Sequence, residues 1–325
     1  MARTHLTLGD IEKAAQRLEG HIVQTPCVAY GGAMPPGLTD KQLHFKMELF
    51  QKGGSFKLRG ALNVVNQLPE ATPGITAFSA GNHAIAAAIA GKSAGLPTTV
   101  VMPKTANPYR VQRCREEGAE IVFGNDIGEL MGLVESLQRE QGLALVHPFE
   151  SWHTVEGTAT VGLELMQEVA DLDAVIVPVG GGGLIAGVAS AVKACNPSCR
   201  VIGVEPSGAR GMAASLAAGK PLPHVPVNTI ADSLGAPLHL PITFGLVQDN
   251  VDEMVDVEEQ AIRDAMRWFF TSLKLAVEPA CAATVAALMG PLKRIEAKRI
   301  GIIACGTNID EVTFHQLLSN GGHNE

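Results

Sequence analysis

The sequence predicts an α/β protein made of two open, parallel-sheet, three-layer domains, and three observations carry that expectation. From Ile75 onward, short apolar strand patterns alternate with helical patterns over short links, an order that calls for parallel strands joined by right-handed crossovers. The alternation runs twice, once over roughly 71–148 and again from Thr154 to a last apolar strand at Arg299. Finally, 325 residues with 46% apolar and 18% charged side chains are too many for one core and fit well-buried sheets rather than disorder.

The elements follow in order. Thr7-Leu8-Gly9-Asp10 reads as a capping box, with Ile11, Ala14, Leu18 and Ile22 at helical spacing and a stop before Thr25-Pro26. Leu43 to Leu49 is a short mixed run with strand character. Strands are expected at Ile75-Phe78, Thr98-Met102, Glu120-Phe123 and Leu143-His147. Helices are expected between them at Ala84 to Ala94, Asn107 to Glu117 and Asp126 to Gln141. The second block reads as helix Thr154 to Ala170, strand Ala174-Val179, helix Leu184 to Ala194, strand Arg200-Glu205 and helix Gly211 to Ala218. Pro221 to Pro226 is a loop. Strand Met254-Val257, helices Glu258-Lys274 and Pro279-Met289, and the buried strand Arg299-Cys305 complete it.

The chemistry centres on Gln51-Lys52-Gly53-Gly54-Ser55-Phe56-Lys57-Leu58-Arg59-Gly60-Ala61. Two glycines free a tight turn, and Ser55 is a good N-cap for the helix that follows. Lys57 then falls in a first helical turn, where the positive end of the macrodipole lowers its pKa toward use as a nucleophile or base. A solvated lysine at an ordinary loop-to-helix junction is the plainer alternative. Three further stretches each lie at a strand's carboxyl end, where open parallel sheets bind ligands. Ser79-Ala80-Gly81-Asn82-His83 suits a carboxylate, or is only an N-cap cluster. Gly180-Gly181-Gly182-Gly183 is either a phosphate cradle at a helix start or a tight structural turn; no Walker A lysine follows it. Cys305-Gly306-Thr307-Asn308 reads by itself as a buried cysteine before a turn.

Composition excludes other classes. The net charge is −8 and no Lys/Arg block stands out, so no nucleic-acid partner is expected. No apolar run approaches the roughly 20 residues of a membrane span, and no apolar signal core follows Met1. A cytoplasmic protein is expected. Six scattered cysteines form no C-x-x-C pair, so reduced thiols and no zinc site are expected.

Ser55 to Ala61, Ser79 to His83, Gly180 to Gly183 and Cys305 to Asn308 together resemble the pyridoxal-phosphate enzymes of the tryptophan-synthase-β fold. The likeness is greatest to the threonine/serine dehydratase and serine racemase branch, and it runs through nearly the whole chain. It implies the cofactor pyridoxal 5'-phosphate in the cleft between the domains. Lys57 would be the Schiff-base lysine, Phe56 would pack beside the cofactor, and Asn82 would bond its ring hydroxyl. Gly180, Gly181, Gly182 and Gly183 would hold the phosphate, and Cys305 would face the ring nitrogen. Ser79, Ala80, Gly81, Asn82 and His83 would surround the carboxylate of a small amino-acid substrate. The lysine's role places segment 1–70 with the second block, giving a large cofactor-binding domain of 1–70 plus 149–325 and a small one of 71–148. A neutral thiol at the ring nitrogen favours β-elimination over a long-lived carbanion. The expected activity is an ammonia-lyase converting a β-hydroxy-α-amino acid, L-threonine or L-serine first, to a 2-oxo acid and ammonia. A racemase, a dehydratase of phenylserine or 3-hydroxyaspartate, and a non-catalytic carrier of the cofactor are the alternatives. A homodimer is the expected assembly.

The sequence also departs from that pattern. Thr307, Ser233 and Cys281 stand where the family usually has glycine, and each is expected to narrow the space near cofactor or substrate. The racemases' second base, a serine, is replaced by Ala80. Their divalent-metal pattern keeps Glu205 and Ala209, but Gly211 replaces its aspartate, so no strong metal site is expected. The chain stops shortly after Asn308, so a regulatory domain and feedback by isoleucine are not expected.

Overall fold

The computed structural model describes residues 3–35 and 37–319. The chain begins with helix α1 (Leu8–Leu18), whose capping box forms: Thr7 Oγ1 accepts from Asp10 N at 3.2 Å, and Asp10 Oδ2 accepts from Thr7 N at 3.1 Å. Ile11, Ala14 and Leu18 make its buried stripe, while Ile22 lies beyond its end. Strands β1 (Cys27–Ala29) and β2 (Gln42–Lys46) follow, then α2 (Lys57–Val65). The first regular block is β3 (Ile75–Phe78), α3 (Asn82–Ser93), β4 (Thr98–Pro103), α4 (Pro108–Glu116), β5 (Glu120–Gly124), α5 (Ile127–Gln141) and β6 (Ala144–Leu145). The second is α6 (Trp152–Glu168), β7 (Ala174–Pro178), α7 (Gly183–Cys195), β8 (Arg200–Pro206) and α8 (Gly211–Ala218). The rest is α9 (Pro241–Asn250), β9 (Glu253–Val257), α10 (Glu259–Trp268), α11 (Pro279–Met289), β10 (Arg299–Ile303) and α12 (Glu311–Ser319).

Two sheets organise these elements. One has six strands in the order β1-β2-β10-β7-β8-β9, parallel except for the edge strand β1, and the other four parallel strands in the order β5-β4-β3-β6. Strand β10 inserts between β2 and β7, with Ile302 paired to Phe45 on one side and Ile176 on the other. Val175, Ile176, Ile300 and Ile302 are buried, as a parallel sheet covered by helices on both faces requires. Helix α2 packs against α6 over the larger sheet, and its Leu58, Ala61, Leu62 and Val65 join Ile75, Ala86 and Val146 of the smaller unit in one apolar cluster. It therefore bridges the two units.

Several boundaries differ from the sequence expectation. The helix expected through Lys274 ends at Trp268 and loosens into a π-turn over Phe269–Leu273, closed by Lys274 at φ 60°. The strand expected at 143–147 shortens to Ala144–Leu145, an edge that pairs only with β3. Strand β1 and helices α9 and α12 carried no periodic signal; α9 starts at a proline whose missing N–H suits a first helical turn. No helix among the described residues is long and apolar enough to cross a membrane.

Candidate active site

The lysine turn is sewn to the end of β10. Phe56 N donates to Cys305 O at 3.1 Å, Thr307 N to Gly54 O at 2.9 Å, and Leu49 N to Ala304 O at 2.9 Å. Ser55 pairs with Gly306 in this seam and does not cap α2; Phe56 is the N-cap, and its side chain makes no capping bond. Gly53 and Gly54 take φ of +79° and +72°, and a Cβ on Gly54 would fall 2.7 Å from Asn308 Oδ1. The turn thus needs glycine for both conformation and space.

Below it lies a buried ionic cluster. Arg59 forks onto Glu48 at 2.7 and 2.8 Å and onto Glu164 at 2.6 and 2.8 Å. Lys46 Nζ joins it at 2.8 Å from Glu164 and 2.7 Å from Glu168. Every oxygen of Glu48 and Glu164 has a cationic partner, the condition under which buried charges are tolerated. This cluster ties the first turn of α2 to α6.

Lys57, the first residue of α2, points into a cavity between the sheets, its Nζ donating to Pro148 O at 2.6 Å and lying 5.2 Å from the centre of the Phe56 ring. Burial lowers its pKa to about 8, against the opposing pull of Cys305 and Glu278. Desolvation is the cause of the lowering, in place of the helix end named from sequence. Gly180–Gly183 bound one lobe of the cavity with Phe56, Asn82, Cys305 and Glu278. A Cβ on Gly183 would fall 2.8 Å from Phe149 Cβ, one on Gly180 3.0 Å from Leu234 Cα, and one on Gly181 inside contact with the Phe149 ring. The first N–H groups of α7 have no acceptor within the helix and open on this lobe. Cys305 is buried beside Cys281, and that neighbouring thiol, ahead of burial, raises the Cys305 pKa, so the thiol stays neutral.

A second lobe of about 310 Å³ opens from Lys57 past Ser79, Ala80, Gly81, Asn82 and His83, which all line it. His83 is buried with Nε2 2.7 Å from Val146 O; burial and then Lys57 lower its pKa to about 3, so the ring is neutral. Across the mouth, Arg110 from α4 pairs with Asp232 and donates to Asn308 O at 3.3 Å from Nε and 3.2 Å from Nη2.

Sequence reasoning missed Glu278. It is 1% exposed; Oε1 accepts from Asn82 Nδ2 at 2.7 Å, and Oε2 has no hydrogen-bond partner. Asn82 Oδ1 in turn accepts from Asn308 Nδ2 at 2.7 Å, which fixes the Asn82 amide. Two signals were available: a lone acid in the apolar run Ala276-Val277-Glu278-Pro279-Ala280, and its place at the head of the family's Glu-Pro-x-Gly-Ala pattern, in which Cys281 replaces the glycine. Arg110, Phe149 and Leu130 were missed too. Of the three departures from glycine, Ser233 lines both lobes and Cys281 presses on Cys305. Thr307 narrows neither lobe; its hydroxyl turns away to donate to Ala276 O.

An amine with a lowered pKa, a glycine-walled pocket at a helix start, a neutral thiol and an unpartnered buried carboxyl oxygen fit a phosphate-bearing aldehyde with a ring nitrogen. The model of the pyridoxal-phosphate dependent enzyme family matches residues 18–306. The chain is 46% identical over 282 residues, 86% of each protein, to phenylserine dehydratase of Ralstonia pickettii. It is 41% identical over 308 residues, 92% of this chain and 90% of the relative, to serine racemase of Oryza sativa subsp. indica. The solved structure of maize serine racemase superposes with a TM-score of 0.90 at 38% identity, covering 98% of each chain. The fold is thus that of the fold type II pyridoxal-phosphate enzymes. The chain belongs to the pyridoxal-phosphate dependent enzyme family, and pyridoxal 5'-phosphate is its cofactor.

Proposed function

We propose that the enzyme is an ammonia-lyase that converts a β-hydroxy-α-amino acid, R–CH(OH)–CH(NH₃⁺)–COO⁻, to R–CH₂–CO–COO⁻ and NH₄⁺. Elimination of water and hydrolysis of the product enamine balance, so none is consumed overall. In this reading Lys57 would carry the cofactor, Gly180–Gly183 would hold its phosphate, Asn82 would meet the ring hydroxyl, Cys305 the ring nitrogen, and Phe56 would pack alongside. The cofactor would lie between a large unit of 1–70 plus 149–325 and a small unit of 71–148. When bound, it supplies an electron sink for the bond broken at Cα. Lys57 Nζ, with its pKa lowered to about 8, takes the Cα proton near neutral pH. Ser79 Oγ, which accepts from Gly81 N at 3.1 Å, and the start of α3 hold the substrate carboxylate.

One observation carries elimination over racemisation. Racemisation needs a proton carrier on each face of Cα. Besides Lys57, the second lobe is lined by the ionisable side chains of His83, Arg110 and Asp232 and by the hydroxyls of Ser79 and Ser233. His83 is bonded to Val146 O, Arg110 and Asp232 pair with each other, Ser79 Oγ accepts from Gly81 N, and Ser233 Oγ donates to Asp232 Oδ1 at 3.4 Å. Ala80 offers only a methyl group. The similarity to a protein named phenylserine dehydratase supports the same reading. The test is a panel of L-β-hydroxy amino acids, with 2-oxo acid assayed and residual substrate resolved on a chiral column. We expect 2-oxo acid with negligible D-amino acid, and Ala80→Ser should gain racemisation. D-serine forming as fast as pyruvate would overturn the reading. A homodimer in the cytoplasm completes the proposal, checked by sedimentation and cell fractionation.

A further inference from the structure

The lobe facing Lys57 is lined by two unlike sets of side chains. One is polar, with Ser79, Asn82 and His83. The other is an apolar wall of Phe78 from the end of β3, Ile127 and Leu130 from the first turn of α5, and Pro103 from the end of β4. None of these four can ionise. Leu130 is 8% exposed and anchored against Val101 and Val134, whereas Ile127, one turn back on the same face, is 52% exposed. The wall is therefore firmly held and only partly covered.

Volume and charge narrow what covers it. An apolar cavity of about 150 Å³ holds benzene; this lobe, at about 310 Å³, has room for an aromatic ring beyond the amino-acid core. The methyl of threonine or the hydrogen of serine would leave the wall in contact with water, whereas a ring would remove that apolar surface from solvent. An anionic side chain fares no better than a small one. Arg110 is the guanidinium at this lobe, and it is already committed to Asp232 and to Asn308 O.

Resting on the elimination reading, we infer that Phe78, Ile127 and Leu130 form an aryl subsite, so that the substrate class is a β-aryl-β-hydroxy-α-amino acid. The wall selects by apolar contact with the ring, and Lys57 and the Ser79–His83 loop act on the common amino-acid part. The test compares kcat/KM of the holoenzyme for L-threo-phenylserine, L-threonine and L-threo-3-hydroxyaspartate, in wild type, Ile127→Ala and Leu130→Ala. Wild type should favour phenylserine over both others. Each variant should lower the phenylserine-to-threonine ratio by roughly tenfold, the scale of a lost hydrophobic contact in a specificity pocket, chiefly through KM for phenylserine. Ile127→Ala, at a half-exposed position, serves even if Leu130→Ala does not fold. A wild-type ratio at or below one, or an unchanged ratio in Ile127→Ala, would overturn the subsite. If none of the three compounds yields a 2-oxo acid, the elimination reading fails separately. The subsite is then judged by half-saturation of the cofactor absorbance change, with tighter phenylserine than threonine supporting it and equal values overturning it.

Discussion

Replacing Glu278 by glutamine isolates the energetic consequence of a carboxyl group buried with one oxygen unpartnered. Burial, only partly offset by Arg110 and reinforced by Asp232, pushes its pKa from 4.5 to about 7. In the folded state the group keeps a proton that the unfolded chain releases above about pH 4.5. Unfolding is accompanied by proton release in that window, so stability falls as pH rises from about 4.5 to 7, and the penalty is complete above it. At about 1.4 kcal/mol per pKa unit, a rise from 4.5 to about 7 corresponds to about 3 kcal/mol. Glutamine cannot ionise, and its carbonyl still accepts from Asn82. Its amide nitrogen adds a cost that does not vary with pH. Urea unfolding of the cofactor-free protein should therefore show Glu278→Gln gaining on wild type by about 2.5 kcal/mol between pH 5 and pH 8, since part of the penalty is already present at pH 5. If the difference between the two proteins is the same at both pH values, Glu278 does not hold its proton in the fold and the reasoning fails.

Gly181→Val should weaken cofactor binding by tenfold or more in equilibrium dialysis, because its side chain would enter the Phe149 ring and displace a bound phosphate; unchanged affinity would remove the loop from the site. Arg59→Met leaves Glu48 and Glu164 without their shared guanidinium and should destabilise by about 3–5 kcal/mol, the cost of breaking a buried ionic group, read as a lowered urea midpoint at pH 7. Chelator treatment should leave turnover unchanged, because both Glu205 oxygens already accept from Met212 N at 2.7 Å and Ala213 N at 3.0 Å. Activity lost to chelator and restored by magnesium or calcium would contradict that.

The local grammar of the chain was legible because it is written in short-range terms. The central strands β3, β7 and β10 are apolar runs a few residues long, and each ends in a turn rich in small residues. Ser79–His83, Gly180–Gly183 and Cys305–Asn308 could therefore be placed at strand ends from their neighbours alone. Lys57 could be singled out because glycines precede it and a helix follows. Capping by Ser55 was misread for the same local reason: the residue type suits a cap, but its backbone is claimed by Gly306, which lies far away in sequence.

The order of strands could not be read locally, since neither the mixed run of β2 nor the buried runs of β7 and β10 carry a pattern that says which neighbours which. Only the insertion of β10 between β2 and β7 brings Cys305 and Asn308 to the lysine turn. Only the meeting of α4 with the loop at Asp232, and of α3 with the start of α11, turns Arg110 and Glu278 from an ordinary helical arginine and an ordinary helix-start acid into buried cavity groups. The sequence by itself determined which residues sit at strand ends and helix starts, because that depends on neighbours a few positions away. The tertiary structure alone decided which of those ends converge and what burial does to their charges, because desolvation and pairing are set by atoms contributed from the whole chain.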